Sequence, residues 1–423
     1  MQPSPPVKHD TLGAAANVNA GYDIDGTLRI EPTSRIRSID VVRGAVMVLM
    51  ALDHVRVFAG VPAGGPTPAL FFTRWVTNFC APAFFFLAGT GAYLYAQRIG
   101  DRRAVSRWLL IRGLWLVLLE LTFLRFAWTF NFDYAHYMFA GVIWSLGWCM
   151  VLMSAIVFLP LRGIAGLGVG IIVLHNALFP LVARAIPQVW EETGPWYWKV
   201  LYFGGVIQPL GPEPEGISFI VLYSLIPWIG VMAAGYAFGS IMRMEDAARR
   251  NRINLTLGAA CVAAFLVLRL TDVYGDPRPW HSATVNAPAV LRFLNTSKYP
   301  ASLSFLLMTL GPVFLLLPML ERARGWLAEA LVVFGRVPLF FYLLHIPLIH
   351  LVAMIVSSIR HDNGTGWLRG NHPVAIGPPP PGYTWSLTLL YAVTALVVVL
   401  LYFPCRWFAT LRARRPDSWL RYF

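Results

Sequence analysis

The chain has 423 residues, of which 57% are apolar and only 13% are Asp, Glu, Lys or Arg, about half the charged share of a soluble domain. Together with a mean hydropathy of +0.59, this is more apolar surface than one globular core hides, and a lipid bilayer is the solvent that accepts the surplus. The net charge of +13 comes without a long basic run or an aromatic and basic platform outside the apolar segments. That excludes nucleic acid as a partner and assigns the positive excess to loops facing anionic lipid.

Residues 1–34 contain Pro3, Pro5, Pro6, Gly13, Asp23 and Asp25 and no apolar stretch after a basic start. They read as a flexible cytoplasmic arm rather than a signal peptide. Ten apolar stretches follow, each near the roughly 20 residues that a helix needs to cross hydrocarbon with all its backbone groups paired. They run Ser38–Ala59, Leu70–Ala96, Ala104–Leu124, Tyr134–Phe158, Arg162–Val182, Ile217–Met242, Ile253–Leu270, Pro300–Leu320, Ala328–Ser358 and Thr384–Pro404. The ninth is too long for one crossing and is expected to break at Arg336-Val-Pro338. Residues Trp196–Leu210 suit an aromatic interfacial helix.

The expected fold is an all-α polytopic membrane protein of ten transmembrane helices, eleven being the alternative, spanning 35–405 and closed by a basic cytoplasmic tail over 406–423. Arg35, Arg37, Arg98, Arg102, Arg103, Arg107, Arg243, Arg249, Arg250, Arg252, Arg412, Arg414 and Arg415 fall on one side if the count is ten. By the positive-inside rule both termini are then cytoplasmic. Cys80, Cys149, Cys261 and Cys405 lie apart inside apolar segments and read as packing residues.

Ionisable groups at bilayer depth cost at least ~2.5 kcal/mol each, so clusters of them ask for a function. The first stretch carries Asp40 and Arg43 near its inner end and Asp53, His54 and Arg56 near its outer end, and each three-apart pair shares a helix face. The second carries Arg74 and, one turn deeper, Asn78. Arg107, Arg112 and Glu120 lie along the third, followed by Arg125 and His136. His175 and Asn176 sit in the fifth. His345 and His350 sit in the ninth, five residues and about 140° apart, so they share a pocket only if the helix breaks near Pro347.

The outer half thus gathers Asp53, His54, Arg74, Asn78, Arg125, His136, His175, Asn176 and His345, a set suited to acid–base work because a histidine takes and returns a proton near neutral pH. The inner half gathers Arg43, Arg107, Arg112 and Arg336, suited to phosphate. For each histidine other than His54, a satisfied packing group is the competing reading. No metal site is expected, since the histidine spacings and the scattered cysteines form no ligand set.

The surrounding motifs carry a resemblance. Arg37–Gly44 with Met50–His54, Phe79–Gly91, Arg112–Glu120, Trp128–Asn131, His175-Asn176, Tyr299–Ser302, Leu307–Gly311 and Phe334–His350 resemble membrane proteins related to the catalytic domain of heparan-alpha-glucosaminide N-acetyltransferase, within the transmembrane acyltransferase group. The resemblance covers about residues 35–405. It implies an acyl group taken from cytosolic acyl-CoA, acetyl-CoA in the first instance, and delivered to a sugar or polymer on the far side. Many members of the group carry an arginine, ten residues and then a histidine in the first helix, and Arg43 and His54 fit that spacing. On a helix the offset is about 16 Å with both side chains on one face. The histidine proposed as catalytic in the lysosomal enzyme matches His54. No large luminal domain is visible, so the lysosomal sugar is not carried over.

The expectation is an inner-membrane acyltransferase without a metal, its partners the bilayer and an outer-side sugar, glycan or glycolipid acceptor, and a homodimer is compatible with it. His54 is expected to be oriented by Asp53 or another carboxylate, Asn78, Arg74 or Asn176 to steady the oxyanion, and Arg43, Arg107, Arg112 or Arg336 to hold the CoA phosphates. Asp40, Glu120, His136, His175, His345 and His350 are further candidates. The rival readings are a flippase for an anionic glycolipid and a non-enzymatic envelope-assembly protein.

Overall fold

The computed structural model describes residues 20–22, 28–30, 36–64, 67–191, 194–208, 217–281, 287–360 and 364–415. The N-terminal unit, residues 1–36, contains β1 (Ala20–Tyr22) paired antiparallel with β2 (Leu28–Ile30). The rest of the expected arm, and the tail beyond Arg415, lie outside the described residues.

The second unit, Arg37–Phe423, is built almost entirely of helices. α1 (Arg37–Phe58) is followed by α2 (Pro68–Trp75), which runs through a single 3₁₀ turn into α3 (Cys80–Ile99). α4 (Arg102–Leu119) starts at an Asp101 cap and ends in a π turn over Glu120–Leu124 that leads to α5 (Arg125–Thr129). β3 (Tyr137–Ala140), α6 (Val142–Ile156), α7 (Leu161–Leu174), α8 (Leu178–Ala185) and α9 (Trp196–Trp198) come next, then β4 (Gly205–Ile207) and β5 (Ser218–Val221). α10 (Ile226–Met242), α11 (Ala247–Thr271), α12 (Ala289–Leu294), α13 (Leu303–Glu321), α14 (Trp326–Arg336), α15 (Pro338–Arg360), α16 (Gly364–Leu368) and α17 (Leu387–Arg414) complete the unit.

Among the described residues six helical segments are long and apolar enough to cross a membrane: Pro68–Ile99, Leu161–Ala185, Ala247–Thr271, Leu303–Glu321, Pro338–Arg360 and Leu387–Arg414. Val142–Ile156 and Ile226–Met242 are shorter apolar helices. Leu161–Ala185 and Ala247–Thr271 bury only 22% of their most apolar stretch, which gives them a face for lipid. The ninth stretch breaks at Val337 into α14 and α15, because the Pro338 ring cannot continue the preceding helix.

Two expectations are corrected. The chain is not purely helical: β5 lies between β3, parallel to it, and β4, antiparallel to it, in a small mixed sheet. The expected interfacial helix near Trp196 is only the short α9 and a π turn over Lys199–Phe203, because Gly204, at φ +71°, ends it and turns the chain into β4.

α1 runs through the bundle, packed against α3, α13, α14, α15 and α17. Close helix approach is achieved with glycine, as it is wherever helices associate without a hydrophobic difference from their solvent. Gly44 on α1 faces the backbone of Leu331, and Gly335 on α14 faces that of Asp40; a Cβ at either would overlap it. Gly89 and Gly235 do the same for α3 and α10, where Thr90 Oγ1 also donates to Gly235 O at 3.0 Å. Gly89→Leu should therefore cost about 1–3 kcal/mol through overpacking, read as a fall in melting temperature of the detergent-solubilised chain. Gly166→Leu, which faces open space, should leave melting unchanged, and equal behaviour of the two variants would contradict this packing.

Candidate active site

The outer end of α1 carries the polar cluster. Arg56 Nε donates to Asp53 Oδ1 at 3.1 Å, and Arg56 Nη1 donates to Val61 O at 2.8 Å, so the ion pair also fixes the turn that ends the helix. The carboxylate expected to orient His54 is thus committed to Arg56, and the ring of His54 is held differently. Its Nδ1 lies 2.7 Å from Nε2 of His345, and the two imidazoles stack with centroids 4.9 Å apart. Trp128 and Tyr342 stand edge-on to His54 at 4.8 and 6.3 Å, forming an aromatic wall.

The proton positions follow from the partners. His345 Nδ1 faces the carbonyl oxygens of Tyr342, at 2.6 Å, and Phe341, at 3.2 Å. A carbonyl only accepts, so this nitrogen carries the hydrogen, and in the neutral ring Nε2 is left as an acceptor. His54 Nδ1 must then be the donor across the pair. The network thereby assigns His54 the Nδ1–H tautomer and leaves its Nε2 lone pair free. His345 is fully buried, whereas Asp53 and His54 are half-buried.

Around this pair lies an excess of positive charge. Asp53 is in the field of Arg74 and Lys298 as well as Arg56. Arg74 Nη1 donates to Asn78 Oδ1 at 2.9 Å and to Thr77 Oγ1 at 3.1 Å, which holds the guanidinium against its own helical turn. Lys298 is buried beside Tyr299, whose hydroxyl donates to that of Tyr223 at 3.3 Å.

His175 and Asn176 do not join His54. His175 Nε2 lies 2.8 Å from Ala301 O, and Asn176 Oδ1 accepts from Leu303 N at 2.7 Å. Together they clamp the segment that carries Lys298. His350 turns the other way, its Nδ1 donating to Ala127 O at 3.0 Å while its ring stacks on Phe130 at 3.8 Å and Phe58 at 4.6 Å. His136 is exposed, with Nδ1 2.6 Å from Asp133 Oδ1. Glu120 is fully buried at the π turn, its carboxyl group facing Gly141 at the start of α6.

The loop after α16 covers the outer end of α1. Tyr383 Oη donates to Phe58 O at 2.6 Å, Trp385 N to Ala59 O at 3.0 Å, and Tyr137 Oη to His372 O at 3.0 Å. Burial, with His350 beside it, pushes the His372 pKa down to about 3.

At the inner end Arg43 Nη2 donates to Leu87 O at 2.7 Å and lies over Gly91. Arg112 stands in the field of Arg412 and Arg43, so three guanidiniums are grouped there. Arg412 Nη1 also donates to Arg336 O at 3.1 Å. The side chain of Arg336 is exposed, and Arg107 lines a surface groove of about 600 Å³ with Arg103, Tyr95 and Trp108. Asp40 is buried on α1, its backbone against Gly335.

Sequence reasoning missed Lys298 and Arg412 as members of these clusters. A signal for the first was present: Lys298 is one of three lysines among 34 basic residues, kept beside a tyrosine in a polar loop.

Among curated proteins none matches the chain. A family model, heparan-alpha-glucosaminide N-acetyltransferase, catalytic, matches residues 35–268. That match is more than half of the chain, running from just before α1 into α11, and includes Arg43, His54, Arg74 and Asn78. The chain therefore belongs to the family of heparan-alpha-glucosaminide N-acetyltransferase catalytic domains.

Proposed function

We propose that this protein is an inner-membrane acyltransferase that moves an acetyl group from cytosolic acetyl-CoA to a hydroxyl or amine of a sugar or envelope glycan at the outer side. The observation that carries the reading is the His54–His345 pair, which leaves one imidazole nitrogen with a free lone pair beside a surplus of cations. The family membership supports acetyl transfer. In this reading α1, α4 and the two shorter apolar helices join the six long ones to make ten crossings, with both termini cytoplasmic.

The thioester of acetyl-CoA supplies the acyl group. Arg43, Arg112 and Arg412 suit its phosphates, since grouped guanidiniums bind phosphate oxygens bidentately. His54 Nε2 takes the proton of the acceptor hydroxyl or amine as that atom bonds to the acyl carbon. His345 accepts the hydrogen bond from Nδ1 throughout and so steadies the imidazolium that forms. Arg74, held against Asn78 and Thr77, offsets the negative charge that develops on the acyl oxygen. When the carbon–sulfur bond breaks, His54 returns its proton to the leaving thiolate, and the ring regains its first state.

Replacing His54 with Asn keeps a polar side chain but removes the accepting nitrogen. Turnover should fall roughly 10² to 10⁴-fold while CoA affinity is retained, because base assistance acts in the transition state. A folded variant that keeps more than about a third of wild-type turnover would remove His54 from the chemistry.

His345 is a positioning residue, and its variants should separate tautomer control from packing. His345→Gln offers an amide oxygen to His54 Nδ1 and should retain more turnover than His345→Ala, which should lose roughly tenfold or more, with the acid limb of the pH–rate profile displaced. Equal loss in both, with an unmoved profile, would make His345 structural only.

Topology is tested by cysteines at Ala63 and Arg103, both exposed. An impermeant thiol reagent applied to intact cells should label Ala63→Cys and not Arg103→Cys; the opposite pattern would invert the protein in the membrane.

A further inference from the structure

Lys298 is the most unusual cation in the protein. It is 7% exposed, and among the described residues its ammonium has no hydrogen bond and no ion pair; the ring of Tyr299 lies 5.4 Å from Nζ. An unpaired buried ammonium is expensive, and a chain that keeps one normally does so for a ligand.

The lysine is also held in place by design of the surrounding loop. Asp276 Oδ2 accepts from Ser297 N at 2.9 Å and from Ser302 Oγ at 3.0 Å, and Ser302 N donates to Ser297 O at 2.9 Å. Asn176 and His175 grip Leu303 and Ala301 from α7 and the turn that follows it. Arg269, almost fully buried, donates to the carbonyls of Arg278, Arg292, Phe293 and Asn295. Asp276 and the His175–Asn176 pair therefore hold the short segment Ser297–Leu303, whose one charged side chain is Lys298, while Arg269 fixes the chain just before it.

The charge balance points the same way. Asp53 is paired with Arg56, and the guanidinium of Arg74 makes its hydrogen bonds in the structure through Nη1 alone, to neutral oxygens. One carboxylate, Asp53, thus stands in the field of three cations, Arg74, Arg56 and Lys298, which leaves the cluster beside the reacting histidine with positive charge in excess. In the proposed reading the donor's phosphates lie at the inner end, where Arg43 is about 16 Å from His54 along α1, and so do not supply this counter-charge. We propose that Lys298 binds an anionic group carried by the acceptor, so that the preferred acceptor is an acidic sugar bearing a carboxylate or a phosphate close to the accepting hydroxyl or amine. This rests on the acyltransferase reading for the word acceptor, but the anion subsite itself does not.

The test uses the full chain in detergent or nanodiscs with acetyl-CoA and matched acceptors: glucosamine against glucosamine 6-phosphate, and glucose against glucuronate. The wild type should favour at least one acidic sugar over its neutral partner by more than tenfold in kcat/KM, the two pairs distinguishing phosphate from carboxylate. Lys298→Gln should bring that ratio close to one, chiefly through KM, and Lys298→Arg should keep most of it. No preference in the wild type, or equal losses on acidic and neutral sugars in Lys298→Gln, would overturn the proposal; the second result would place the lysine at the acyl oxygen or in the fold. Thermal stabilisation by glucosamine 6-phosphate, glucuronate and inorganic phosphate is measured in parallel. Stabilisation that depends on Lys298 without any His54-dependent turnover would sink the acyltransferase reading and leave the subsite standing. Absence of both stabilisation and preference would sink the subsite alone if turnover of the neutral sugars persisted.

Discussion

Six ionisable side chains ride on α1 through the bundle, and a helix so charged is tolerable inside an apolar assembly only if its neighbours satisfy it. Arg37 donates to Ala323 O and to Glu329, where the α13–α14 connection meets it. Arg43 reaches the backbone of α3, which Gly91 leaves open to it. Arg56 takes Asp53 and the Val61 carbonyl. His54 takes His345 from α15. The glycine contacts at Gly44 and Gly335 are the packing side of the same constraint, since they bring α14 close enough to shield the inner half of α1.

What this arrangement leaves over is what makes it chemical. A helix whose polar groups were all neutralised would be an anchor. Here the outer end retains one unprotonated imidazole nitrogen and more cations than carboxylates, while three arginines are grouped toward the inner end. One straight helix links a place suited to taking a proton with a place suited to phosphate. Separating the two by the length of α1 lets each keep its own dielectric surroundings, the first walled by Trp128 and Tyr342, the second near the loops.

Much of this was legible in the sequence because hydrocarbon imposes a simple rule on length and polarity. Each of the ten apolar stretches carries a helix, and the Arg336-Val-Pro338 break falls where proline requires it. The polar residues of α1 and α2 stood out for the same reason. The small sheet did not: its strands are three or four residues long, and Tyr137 pairs with Ser218 far along the chain, so no local periodicity reports it. The partner of His54 was hidden likewise, since His345 lies 291 residues away and helical spacing alone could not say which face α15 turns inward. Local reading favoured the adjacent Asp53, yet a side chain next in sequence on a helix points about 100° away, and Arg56 on the shared face claims it instead. His175 and Asn176 looked like site residues because they are polar in an apolar stretch; the buried carbonyl and amide of the Ala301–Leu303 segment explain their polarity.

The account turns on which nitrogen of His54 holds the proton, and nitrogen NMR of the ring reports it directly. In chain labelled with ¹⁵N-histidine, with His54→Asn identifying the signals, the account predicts a protonated Nδ1 hydrogen-bonded to His345 Nε2 and an Nε2 shift typical of a bare lone pair. A His54 ring protonated at Nε2, with Nδ1 bare, would contradict it, because the nitrogen that faces the substrate would then have no lone pair with which to take a proton.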